Sequence, residues 1–153
     1  MTMNIHFEFD DKVDKPEITI RCRAIDDEIA KIQSAITDAI KTESRLALFK
    51  KDNAFFLPPD QILFFESVDG KTFAHTAASV LQTKLKLYEL ETTLPATFVR
   101  ASKSAIIGTK YILSITRNPI GPSLVRFRGS HKQINVSRSY YKKLINKLNE
   151  RSL

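Results

Sequence analysis

Ile62-Leu63-Phe64-Phe65-Glu66-Ser67-Val68-Asp69-Gly70-Lys71-Thr72-Phe73-Ala74-His75-Thr76 is the stretch whose reading decides the fold. Two runs rich in aromatic and β-branched residues meet at Asp69-Gly70, a dipeptide that tolerates the positive backbone angles of a two-residue hairpin. The spacing predicts strands over 62–68 and 72–76. Upstream, Leu46–Lys50 and Ala54–Leu57 flank a Lys51-Asp52-Asn53 turn, and Pro58-Pro59-Asp60 breaks the pairing. Downstream, strands are expected at about 98–101, 111–117, 123–128 and 132–136. A short helix is expected over Lys84–Thr92, with Leu87, Leu90 and Leu94 inward. Ser137 can cap a last helix in which Tyr141, Leu144, Ile145 and Leu148 recur at helical spacing. All four glycines (Gly70, Gly108, Gly121, Gly129) fall at predicted turns. The fold class is mainly β with α, an α+β arrangement.

The first 44 residues read differently. Ile5, Phe7 and Phe9 alternate with polar residues, as do Ile18, Ile20, Cys22 and Ala24, so two strands are expected, with Cys22 on the apolar side. From Asp26 the period becomes helical: Ile29, Ile32, Ile36 and Ile40 share a stripe that ends near Glu43. This ββα head is too small for a core of its own and should pack on the rest of the chain or on a second copy. The expected division is 1–44, an interaction and dimerisation subdomain, and 45–153, a larger β domain.

At 153 residues and 17.4 kDa the chain can bury roughly two-thirds of its unfolded surface without a disulfide or metal staple. No apolar run approaches the ~18 residues of a membrane span. No secretion signal opens the sequence, and the single cysteine excludes an intrachain disulfide framework, so a reduced, cytoplasmic protein is expected. His6, His75 and His131 lack metal-ligand spacing, and no phosphate loop, histidine pair or nucleophile elbow is present. No enzyme activity, cofactor or metal is expected.

Charge is unevenly spread. Residues 1–44 carry a net −4, residues 45–96 cancel, and residues 97–153 carry +11 with Glu150 as their one acid. A basic end on an acidic head suits a chain that meets a polyanion with one end, although a solvated basic surface has the same composition. Arg100 and Lys103 surround a strand end, Lys71 follows the hairpin tip, and Arg138, Ser139, Lys142 and Lys143 open the last helix. Hydroxyls beside Arg and Lys suit phosphate and base-edge contacts. That helix can equally be an amphipathic cover for the sheet, and composition leaves both readings standing.

Residues 45–150 resemble the LytTR family of bacterial DNA-binding domains. The likeness is carried by Ile62 to Phe73, by Thr83-Lys84-Leu85-Lys86-Leu87-Tyr88-Glu89-Leu90-Glu91 and by Leu94-Pro95. It continues through Phe98-Val99-Arg100-Ala101-Ser102-Lys103-Ser104-Ala105-Ile106-Ile107 and Val136-Ser137-Arg138-Ser139-Tyr140-Tyr141-Lys142-Lys143-Leu144. The whole chain is similar to free-standing regulators of this type with a short N-terminal extension. The resemblance implies an elongated β fold that regulates transcription by binding direct repeats in double-stranded DNA, with loops inserted into successive major grooves. It places base-reading positions at Lys71, at Ser102 and Lys103, and at Arg138, with Arg100, Ser139 and Lys142 nearby. Some relatives carry His or Asn at the first two places, and this chain departs from them, which bears on the DNA sequence it prefers and not on its groove-binding role. The free-standing relatives imply an inhibitory membrane protein as a partner, and the Ile-rich helix and sheet edge of the acidic head lead us to expect a homodimer, at least on DNA. The competing function is an RNA or single-strand binder. It is disfavoured because the basic third lacks regularly interleaved aromatics for base stacking.

Overall fold

The computed structural model describes residues 3–42 and 45–151. Helix α1 (Asp27–Thr42) comes first, followed by β1 (Leu46–Lys50), β2 (Asn53–Leu57), β3 (Phe64–Val68), β4 (Lys71–His75) and β5 (Val80–Thr83). Helix α2 (Leu87–Thr93) leads to β6 (Phe98–Ser102), β7 (Ala105–Gly108), β8 (Ile112–Thr116), β9 (Ser123–Phe127), β10 (Gln133–Val136) and helix α3 (Arg138–Arg151). A seven-stranded sheet runs β2-β1-β5-β4-β3-β7-β6, and a three-stranded sheet runs β10-β9-β8. Every pairing is antiparallel.

The large sheet is covered on both faces, which explains why Ile62, Leu63, Phe64 and Phe65 are all buried in succession. Phe65, Ala74, Leu81 and Ile106 face α2 through Leu87 and Leu90. Phe64, Val99, Ala101 and Ile107 face the small sheet and α3 through Val125, Phe127 and Leu144. On that second face the His75 ring stacks on Phe64 with centroids 4.2 Å apart, and its Nε2 lies 2.7 Å from Glu66 Oε1. Burial holds the His75 pKa below the usual imidazole value, with Lys132 adding to that and Glu66 opposing it. Lys132 donates to the Ser79 carbonyl at 2.6 Å and Ser130 to that of Ala77 at 3.0 Å, which ties the small sheet to the β4–β5 connection.

Two strands appear that alternation did not announce. β5 joins the β1–β2 hairpin to the rest, with Phe49 opposite Gln82. β7 is four buried residues, Ala105 to Gly108, an apolar run without a period. Gly108 is therefore in a strand and not in a turn. A Cβ there would lie 3.0 Å from the Ile62 carbonyl oxygen and 3.0 Å from the Phe98 ring.

The N-terminal region corrects the expectation most. Helix α1 forms, with Asp26 Oδ1 accepting the Ile29 amide at 2.9 Å as an N-cap. The two strands before it do not: among the described residues 3–26 none is in a strand, and Cys22 is exposed. The observed head is a helix preceded by irregular chain with a turn at Asp10–Val13, because a two-stranded hairpin without a covered face is marginal in water. Ile29 is buried, and Asp38 Oδ1 accepts the Ala96 amide at 3.1 Å, so α1 rests on the body beside α2. The expected end of α1 at Glu43, and the division at 44, fall outside the described residues.

Candidate nucleic-acid interface

The hairpin tip is built by Asp69 and Gly70, at φ +51° and +77°, which close β3 onto β4 with Val68 opposite Lys71. Positive φ at both central residues matches the right-handed twist of the flanking strands, and Gly70 adopts it at little cost. Lys86, just before α2, donates from Nζ to the Gly70 carbonyl at 3.1 Å and braces the tip from below. Lys71 itself is exposed.

The β6–β7 turn lies at the same end of the sheet, because β7 starts beside the end of β3. The Ser67 amide donates to the Ser104 carbonyl at 2.8 Å and links the turn to the hairpin. Ser102 Oγ accepts the Ser104 amide at 3.1 Å, and Lys103 projects into solvent between them. Arg100 is placed otherwise. Its Nε donates to the Ser102 carbonyl at 2.8 Å, its Nη2 to the Lys103 carbonyl at 2.7 Å, and its Nη1 to Glu91 Oε1 at 2.7 Å. With all three guanidinium nitrogens engaged and the side chain 17% exposed, Arg100 clamps the turn and does not reach outward.

The third locus is the β10–α3 junction. Pairing between β6 and β7 slips after Arg100, so that Ala101 falls out of the ladder. The freed Ala101 carbonyl accepts the Ser137 amide at 2.9 Å. Ser137 stands at the N-cap position, its own carbonyl receiving the amides of Tyr140 and Tyr141 at 3.1 Å, while its hydroxyl lies 3.3 Å from that of Ser139. Arg138, Ser139 and Lys142 are exposed on the first turns. A chain of main-chain hydrogen bonds thus runs from hairpin tip to turn to helix start, and Lys71, Ser102, Lys103, Arg138, Ser139 and Lys142 share one end of the protein.

Sequence reasoning passed over the supports. Lys86 and Glu91 brace two of the loops, and their helical neighbourhood gave no sign of contacts made 16 and 9 residues away. A cleft of about 750 Å³ between α2, β6 and α3 brings Lys142, Lys143 and Lys147 beside Arg100 and Glu91. The helical period could have shown that Lys143 and Lys147, four residues apart, share a face. Among the described residues no three His, Cys, Asp or Glu side chains are grouped to hold a metal, and no helix is long and apolar enough to cross a membrane.

Residues 52–149 match the family model described as the LytTr DNA-binding domain. A Staphylococcus aureus protein named as an uncharacterized HTH-type transcriptional regulator is 26% identical over 146 residues, 95% of this chain and 98% of its own. A second of that name and organism is 28% identical over 131 residues, covering 86% and 88%. A solved LytTr DNA-binding domain from Bacillus cereus superposes with a TM-score of 0.63 at 24% identity, over 69% of this chain and 96% of its own, and shows the same fold.

Proposed function

Because the chain belongs to the LytTr DNA-binding domain family, we propose that it is a cytoplasmic transcriptional regulator that reads double-stranded DNA in sequence-specific fashion and catalyses no reaction. The observation that carries this reading is the hydrogen-bonded chain that gathers three loops from separate parts of the sequence at one end, two of them within residues 97–153, which carry +11. Lys71, Ser102 with Lys103, and Arg138 would enter major grooves, and Ser139 and Lys142 would meet phosphate. Arg100 serves by holding the turn that presents Lys103.

Loops fit the role better than a helix pair does. Each α-helix among the described residues is separated from the next by strands, so no helix-turn-helix is available for docking. Two copies on direct repeats, a homodimer at least on DNA, and a restraining membrane protein complete the proposal, on the resemblance to free-standing regulators.

A mobility-shift assay with a labelled duplex selected from a random pool tests it. Unlabelled selected duplex should compete at much lower concentration than random duplex, single-stranded DNA or RNA. Equal competition by RNA or single strands would favour the alternative binder.

A further inference from the structure

Segment 3–26 has the alternation of two strands, yet among the described residues of one chain it finds no strand to pair with. Ile5 and Phe7 are 81% exposed, Phe9 95% and Ile18 64%. The Asp10–Val13 turn, closed by a 3.2 Å main-chain bond, separates the two stretches without bringing them together as a hairpin. Apolar side chains on one face of a strand call for a covering surface, and an unpaired strand calls for a partner.

The charges on the polar faces say what that partner is. Glu8 lies on the polar side of the first stretch, Arg21 and Arg23 on that of the second. Set antiparallel with Phe7 opposite Cys22 and Phe9 opposite Ile20, the two stretches put every apolar residue on one face. The same register puts Glu8 directly opposite Arg21. We infer that a second copy of this chain supplies the missing strands: residues 4–9 of each protomer pair with residues 18–24 of its mate. Two-fold symmetry then makes every contact twice and gives two two-stranded ribbons, whose apolar faces cover the α1 stripes at Ile40, 59% exposed in one chain.

This deepens the proposed use of two copies on DNA, but it concerns the free protein and is tested without DNA. Sedimentation of the full chain should show a dimer. Glu8→Arg and Arg21→Glu, each alone, place like charges opposite each other at two sites and should weaken the dimer roughly tenfold. An equimolar mixture of the two variants should recover wild-type dimerisation, since the heterodimer has an opposite-charge pair at both sites. Hairpins closed within one chain would give no such recovery. Thermal unfolding of each variant, unchanged if the sheet domain is intact, separates a lost interface from a lost fold. A monomeric wild type, or a mixture no stronger than its components, overturns the inference. A chain that dimerises in this way yet binds no duplex would instead overturn the functional reading alone.

Discussion

Arg138 and Lys142 stand one turn apart at the start of α3, and their chemistry assigns them different work. A guanidinium can pair bidentately with guanine O6 and N7, whereas a lysine meets phosphate as a mobile point charge. Arg138→Ala should cost about 1–3 kcal/mol on the selected duplex and little on random duplex. Lys142→Ala should weaken both alike and lower the salt slope by about one unit. Equal losses for Arg138→Ala on both duplexes, measured by fluorescence anisotropy, would reduce it to a phosphate contact. Arg100 differs from both in acting through the turn it holds. Arg100→Lys keeps the charge but cannot reach three acceptors with one ammonium, so selected-duplex affinity should fall about tenfold while random-duplex affinity stays within about twofold. Equal loss on both would make Arg100 a direct phosphate contact. The sequence displayed Arg100 as a basic residue at a strand end. Its inward turn depends on carbonyls two and three residues ahead and on Glu91, contacts that spacing does not encode.

At the scale of elements, what could be read in advance follows from how local the signal is. The β3–β4 hairpin was legible because Asp69-Gly70 and its flanking strands specify one register within fifteen residues. The stripe of α3 was legible from its period, and Leu144 is fully buried at its centre. β7 was missed because a strand covered on both faces has no alternation to display. β5 was missed because Val80–Thr83 is four residues long and owes its place to β1 and β4. The expected N-terminal strands show the converse: correct alternation makes no strand without a partner. β7 also yields a test of packing away from the β3–β4 and β6–β7 turns. Gly108 sits against the Ile62 carbonyl and the Phe98 ring, and the carbonyl belongs to a buried backbone that cannot move aside. Gly108→Ala should cost about 1–3 kcal/mol of stability by overpacking, seen as a lower denaturant midpoint with an unchanged slope. Selectivity for DNA should persist wherever the variant is folded. An unchanged midpoint would mean that the strand has room the geometry does not show.

Across the whole molecule, charge and fold divide the labour. The acidic head, net −4 over residues 1–44, would be repelled by phosphates, and residues 97–153, at +11, hold two of the three loops proposed to meet them. Twelve basic residues follow position 96, but some are spent internally: Arg100 on the turn, Arg128 on the Lys110 carbonyl at 2.7 Å, and Lys132 on the Ser79 carbonyl at 2.6 Å. Lys110 and Lys147 are also paired, with Asp60 and Glu150, and of the rest on the order of four to six can meet phosphate per protomer, so counterion release sets the logarithmic salt slope at about −4 to −5. The most direct test is a titration of the full chain at several salt concentrations on selected duplex, random duplex and single strand. The account predicts that slope on both duplexes, with the selected duplex preferred by about 10³ or more. A slope near zero, or equal affinity for all three nucleic acids, would contradict it.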